Sequence, residues 1–254
     1  MIDSHAHLEM LKDLPAVLDN ARQAGVKQIV TIGTDLPSSR KASILAKSHQ
    51  HVFHTIGLHP HDAKVSLAPG YWREFEKLVE ARPPVAIGEC GLDFFRNLSA
   101  ADDQRKAFIR QIEIALNFKL PIVVHDRDAH QETVDMLRQY GADKVGGVLH
   151  CFSGDLGIAR QVVDLGFYLG IPGVITYPQN QSLRDLVQEV PEERLLLETD
   201  CPYLTPQPLR GKKNQPAYML HTAKALAEAL NKSLEQTITI TSRNTARLFN
   251  LPEA

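Results

Sequence analysis

The stretch Val85-Ala86-Ile87-Gly88-Glu89-Cys90-Gly91-Leu92-Asp93 decides how this chain is read. Its apolar start, Val85 to Ile87, follows the helix-breaking pair Pro83-Pro84 and reads as a buried strand. The run stops at Gly88, and a carboxylate, Glu89, stands at its end. The same pattern recurs along the chain. Ile122-Val123-Val124 ends on His125, Val148-Leu149 on His150, and Leu195-Leu196-Leu197-Glu198-Thr199 on Asp200. The first residues, Met1-Ile2-Asp3-Ser4-His5-Ala6-His7, add two imidazoles. Buried strands that each finish in His, Glu or Asp imply one site at the strands' carboxyl ends.

Outward from this stretch, apolar runs alternate with helix-like segments. Further strands are expected over 2–7, 28–33, 52–58, 144–150, 167–171 and 194–199. Leu14, Val17, Leu18 and Ala21 fall on one helical face, with Asp13 as N-cap, Pro15 in the first turn and Gly25 as the stop. Ser99-Ala100-Ala101-Asp102 has the form of a capping box opening a helix whose buried face is Phe108, Ile112, Ala115 and Leu116. Other helices are expected over 37–48, 71–81, 155–165, 182–189, 217–230 and 233–248, with a Pro- and Gly-containing loop over 201–216. Regular alternation implies parallel strands. The expected fold is α/β, a (β/α)8 TIM-type barrel formed by a single domain over 1–254; an open doubly wound sheet is the other arrangement that periodicity permits.

Hydrophobic residues make up 43% and charged residues 23%, enough to bury an ordinary core. The net charge of -2 excludes a broad basic surface for non-specific nucleic-acid binding, so a polyanion needs a local attraction such as bound cations. The 3 Cys form no disulfide framework and suit a reducing compartment. No apolar run approaches a membrane span, and the first residues lack the form of a signal peptide. The expectation is a cytoplasmic protein without a membrane or obligate protein partner.

His5 and His7 stand two apart on a strand, so both imidazoles point the same way and can converge on a cation. Singly, each is more often a surface or core residue; jointly, His5, His7, Glu89, His125, His150 and Asp200 are too many donors for one four-coordinate zinc. They suit two divalent cations sharing a bridging carboxylate, which Glu89 supplies. His5 and His7, with Glu89 and Asp200, are expected to hold one; Glu89, His125 and His150 the other. Glu89 and Asp200 are the candidate catalytic carboxylates, Asp200 as the group that orients the attacking water or takes its proton. Zinc, iron, nickel and manganese suit the imidazoles, whereas magnesium prefers oxygen.

Cys90, Cys151 and Cys201 each follow a proposed ligand, but strand alternation turns a neighbour to the opposite face, which makes the thiols filler. His59 and His61, Arg127, Arg210 and Lys212 are candidate substrate contacts, each with a surface role as its alternative. His49, His51, His54, His130 and His221 have no converging partners and read as structural or surface residues.

The motifs Asp3-Ser4-His5-Ala6-His7-Leu8, Gly57-Leu58-His59-Pro60-His61, Ile87-Gly88-Glu89-Cys90-Gly91-Leu92-Asp93-Phe94-Phe95, Pro121-Ile122-Val123-Val124-His125, His150-Cys151-Phe152-Ser153-Gly154 and Glu198-Thr199-Asp200-Cys201-Pro202-Tyr203-Leu204 together resemble the TatD family of metal-dependent hydrolases. The resemblance covers nearly the whole chain. It implies a TIM-type barrel, divalent-metal-dependent cleavage of DNA phosphodiesters, in some relatives from the 3′ end, and the same six ligand positions. Hydrolysis of a C–N or ester bond, as in D-aminoacyl-tRNA deacylation, is the rival activity, and a non-enzymatic metal- or nucleic-acid-binding barrel the rival class. The chain departs from the family at Asn214-Gln215-Pro216, where Asn-Glu-Pro is usual, and at Thr176-Tyr177-Pro178, which lacks the lysine often found there.

Overall fold

The computed structural model describes residues 1–252. Its strands are β1 (Ile2–Ala6), β2 (Gln28–Thr31), β3 (Val52–Ile56), β4 (Ala86–Asp93), β5 (Ile122–Arg127), β6 (Gly147–Leu149), β7 (Tyr168–Ile171) and β8 (Leu195–Leu197). They form one 8-stranded parallel sheet in sequential order. Beyond β8 the chain returns to β1: Ala6 bridges Cys201, the His7 N–H donates to the Cys201 carbonyl at 2.8 Å, and the Asp200 N–H to the His5 carbonyl at 2.9 Å. Those bonds close the barrel and exclude the open sheet.

The helices are α1 (Leu14–Gln23), α2 (Leu36–Ser48), α3 (Tyr71–Ala81), α4 (Ala101–Phe118), α5 (His130–Gln139), α6 (Leu156–Asp164), α7 (Gln181–Glu189), α8 (Met219–Ala229) and α9 (Leu234–Phe249). They pack outside the sheet; Phe75, Phe108 and Ile112 are fully buried against it. Inside the barrel a second cluster joins Val30, Val123, Val148, Tyr168 and Leu196, with Phe249 and Leu251 from the chain's end. Two residues on from Val123 is His125, two on from Val148 is His150, and four on from Leu196 is Asp200. The strand period that fills the barrel with Val and Leu thus aims polar groups inward one step nearer the rim. None of the described helices is long and apolar enough to cross a membrane.

Two expected caps are differently built. Asp13 occupies the N-cap of α1, but with φ 52 and no side-chain hydrogen bond to the helix. Ser99 lies one position too early: α4 is capped by Ala100, and the Ser99 hydroxyl donates instead to the His61 carbonyl at 2.8 Å. Side-chain capping boxes are made by Asp35 with Ser38 on α2 and by Ser233 with Gln236 on α9. The sixth strand is also shorter than expected, because a 3-10 turn takes Ala142–Lys144.

Strand β4 carries two glycines that its path requires. Gly88 has φ 139 and Gly91 φ 134, and an added Cβ would meet the Val123 carbonyl oxygen at 2.4 Å or that of His125 at 2.0 Å. Gly91→Ala is therefore expected to destabilise the fold by at least about 2 kcal/mol, from strain and overpacking together. In a thermal melt that is a loss of roughly 4–8 °C; an unshifted melt would show that β4 can move away from β5.

Candidate metal centre

At the carboxyl-end rim, β1 delivers His5 and, one residue past its end, His7; β4 delivers Glu89; β5 delivers His125. His150 follows directly on from β6, and Asp200 and His59 stand three residues beyond the ends of β8 and β3. All converge. The Glu89 Oε1 atom lies 2.8 Å from His150 Nε2, 3.0 Å from His125 Nδ1 and 3.4 Å from His59 Nε2. The Oε2 atom faces the other way, 3.5 Å from His5 Nε2 and 3.8 Å from His7 Nε2. Asp200 Oδ1 completes that second group, 3.4 Å from His7 Nε2 and 3.7 Å from His5 Nε2. Four overlapping donor groups result, His5-His7-Asp200, Glu89-His125-His150, His5-His150-Glu198 and His59-His61-His125, and one oxygen of Glu89 turns toward each of the first two.

The backbone around these groups is unusual where a side chain must be re-aimed. Asp200 has φ 53 and Cys151 φ 47, the left-handed region that non-glycine residues seldom occupy. Asn214 fixes the first of these turns, its Nδ2 donating to the Thr199 carbonyl at 2.8 Å and the Tyr203 carbonyl at 2.6 Å. Glu198 supports the second by accepting the Cys151 N–H at 2.6 Å. Asp3, within β1, accepts from the Thr199 hydroxyl at 2.7 Å; burial pushes its carboxyl up to about 7.

The two carboxylates, Glu89 and Asp200, are ionised, and they in turn raise His7, His125 and His150 against the opposing effect of burial, so a cation would replace a proton at these rings. Burial opposes ionisation of Glu89, but the imidazoles of His150, His59 and His125 outweigh it and hold the carboxyl well below its usual range. Burial likewise opposes ionisation of Asp200, and the hydrogen bond to His7 with the nearby His5 wins. Burial brings His59 down to about 4, so it stays neutral. Both nitrogens of His5, and the Nδ1 atoms of His7 and His150, are buried without a hydrogen-bond partner. Unsatisfied buried nitrogens are costly and rare. Of these, His5 Nε2 is the one turned toward Glu89 and Asp200, and a buried nitrogen without a partner beside two ionised carboxylates fits a divalent cation.

The structure brings the six expected ligands, His5, His7, Glu89, His125, His150 and Asp200, to one rim. Of the candidate substrate contacts, His59 reaches Glu89, while His61 Nε2–H donates to Asp93 Oδ2 at 2.7 Å. Arg127 is exposed and stacks on Phe95 at 3.9 Å; Arg210 lies over Tyr177 at 4.8 Å; Lys212 is exposed on its loop. Gln215, at the family's Glu position, accepts from Asn20 Nδ2 at 3.4 Å. The three thiols are unpaired and belong to none of the donor groups among the described residues; Cys90 and Cys201 are fully buried. His54 contacts the Arg82 carbonyl and His130 pairs with Asp126, structural roles as expected.

Two carboxylates that mattered were not singled out by the sequence. Asp93 is wholly buried, and its Oδ2 lies 3.1 Å from His125 Nε2, the nitrogen turned away from Glu89. Glu198, also wholly buried, has Oε1 3.8 Å from His150 Nδ1. Their period-two relation to known rim residues, Asp93 four beyond Glu89 and Glu198 two before Asp200, was the available signal.

Residues 2–250 match the family model described as TatD related DNase. The metal-dependent hydrolase YabD of Bacillus subtilis is 37% identical over 99% of both chains. A protein of Klebsiella pneumoniae named 3'-5' ssDNA/RNA exonuclease TatD is 36% identical over 94% of this chain and 93% of its own. Among solved structures, YJJV, a TatD homologue of Escherichia coli, superposes with a TM-score of 0.93 at 31% identity, covering 99% of this chain and 98% of that one. This chain belongs to the TatD-related DNase family and is a metal-dependent hydrolase.

Proposed function

We propose that the protein is a nuclease that cleaves phosphodiester bonds in single-stranded DNA, from the 3′ end, with two divalent cations. The observation that carries this is the Glu89 carboxylate, each oxygen facing its own set of donors. In this reading His5, His7, Asp200 and Glu89 Oε2 hold one cation, and His125 Nδ1, His150 Nε2 and Glu89 Oε1 the other. A bound cation pair lowers the pKa of a water and neutralises charge on a phosphoryl oxygen.

The protein groups orient and move protons. Asp200, ionised and at the rim, accepts the proton of the attacking water. Asp93 accepts Nε2–H of His125 and Glu198 faces Nδ1 of His150, which leaves the opposite nitrogen of each ring unprotonated and aimed at Glu89. His59 Nδ1 accepts the His61 N–H at 3.1 Å, so the proton of this neutral ring sits on Nε2, ready to donate to a phosphoryl oxygen. Arg127, Arg210 and Lys212 attract the backbone phosphates. The polarity and the single-stranded substrate are those in the name of the Klebsiella pneumoniae relative.

Chelated protein reconstituted with manganese or magnesium, mixed with end-labelled single- and double-stranded oligonucleotides, is the test. Stepwise shortening of the single strand from its 3′ end is expected, abolished by chelator. Metal-dependent hydrolysis of D-aminoacyl-tRNA or a cyclic amide with both oligonucleotides left intact would overturn the nuclease assignment.

A further inference from the structure

The large apolar side chains that stay exposed are not spread over the molecule. Among the described residues, all but Ile44 lie in loops leaving the carboxyl ends of β1, β3, β4 and β8: Met10, Val65, Leu67, Phe95, Leu98 and Tyr203. They share the rim with the metal centre. An exposed apolar group so placed marks a surface that something covers.

Two of these are aromatic, and each is tied to a different donor set. Tyr203, 50% exposed, has its ring 6.1 Å from the ring of His7, in the His5-His7-Asp200 set. Its hydroxyl is 3.7 Å from Met10 Sδ. Phe95, 60% exposed, follows two residues after Asp93, which contacts His125 of the Glu89-His125-His150 set. The Arg127 guanidinium covers one Phe95 face at 3.9 Å, and the ring's exposure leaves the other open. Around both rings the loops after β4, β5 and β8 present Arg96, Arg127, Arg210, Lys212 and Lys213, all exposed. Aromatic faces rimmed by cations, one tied to each donor set of a centre that handles phosphate, complement an unpaired nucleic-acid strand: bases stack and phosphates are neutralised. A duplex keeps its bases stacked on each other and offers no face to either ring.

We propose that Tyr203 and Phe95 are stacking platforms for the two unpaired bases on either side of the phosphate at the metal centre. This rests on the nuclease reading of that centre. The occupant is a single strand; a second copy of this chain on the same apolar surface is the competing outcome.

The test is a cycle on the manganese-loaded protein between ring and base. Steady-state kinetics are measured for wild type, Phe95→Ala, Tyr203→Ala, the Phe95→Ala/Tyr203→Ala double variant and the rescue variants Phe95→Trp and Tyr203→Phe. The substrates are one single-stranded oligonucleotide and its counterpart carrying abasic spacers at the flanking positions. Each alanine variant is expected to raise KM for the normal strand roughly five- to hundredfold with kcat near wild type. Spacers at both positions should raise wild-type KM by more than either alanine change, raise that of each single variant by the one remaining stack, and leave that of the Phe95→Ala/Tyr203→Ala double variant little changed, because both rings and bases are then already uncoupled. Both rescue variants should restore KM.

Unchanged KM in both alanine variants, or equal responses to the spacers in wild type and variants, would overturn the platforms while leaving the nuclease intact. So would a wild-type dimer in sedimentation that dissociates in the variants without a change in KM. A wild type that cleaves no oligonucleotide would sink the nuclease reading first, and the platforms with it.

Discussion

Replacing Asp200 by asparagine is expected to give a folded protein whose turnover on a single-stranded oligonucleotide falls roughly 10²- to 10⁴-fold, the range for loss of a general base. The size of the effect follows from where this carboxylate stands. It is 3.4 Å from His7 Nε2 and held ionised, yet it follows the end of β8 at the mouth, where a water can reach it. Asparagine is the informative replacement because φ at this position is 53, which Asn adopts readily and Ala does not. The barrel closure through the Asp200 N–H and the His5 carbonyl uses backbone atoms and survives the change. The thermal midpoint should therefore stay within a few degrees while kcat collapses. Wild-type kcat in Asp200→Asn would remove the residue from the chemistry.

Glu89→Gln is expected to be at least as severe, with a roughly 10³-fold or greater loss of kcat/KM, because several kcal/mol of charge stabilisation go with the cations it holds. A carboxylamide has the shape of a carboxylate but only one oxygen, so it can serve one donor set and not both. It also removes the charge that holds the imidazoles of His125 and His150 in place from 3.0 and 2.8 Å. Added metal should rescue Asp200→Asn incompletely and Glu89→Gln hardly at all. Substantial recovery of Glu89→Gln in excess manganese would mean that the carboxylate is not shared.

The ligand set was legible because two independent regularities agreed. The hydrophobic runs gave the strands, and period two gave the direction of the side chains; Val123 before His125 and Val148 before His150 obey both. The thiols yielded to the same alternation, Cys90 turning its sulfur toward the Val123 carbonyl at 3.6 Å. Closure was expected from the eight strand–helix units and the family resemblance, but periodicity alone left the open sheet standing, since excluding it depends on Ala6 meeting Cys201 across most of the chain. Nor were the backing roles of Asp93 and Glu198, because a carboxylate inside a motif does not announce which ring nitrogen it will face. Caps misled for a tertiary reason: the Ser99 hydroxyl serves the loop after β3 rather than its own helix. That the two oxygens of Glu89 face different imidazoles is visible only once five of those rings surround it.

The sharing of Glu89 by two cations is tested most directly by anomalous diffraction at the manganese edge from crystals of the manganese-loaded protein. Two peaks are predicted, roughly 3.5–4 Å apart. One should lie among His5, His7 and Asp200, the other between His125 and His150, with the Glu89 carboxylate bound to both. A single peak, or a pair not joined by Glu89, would contradict the two-cation centre.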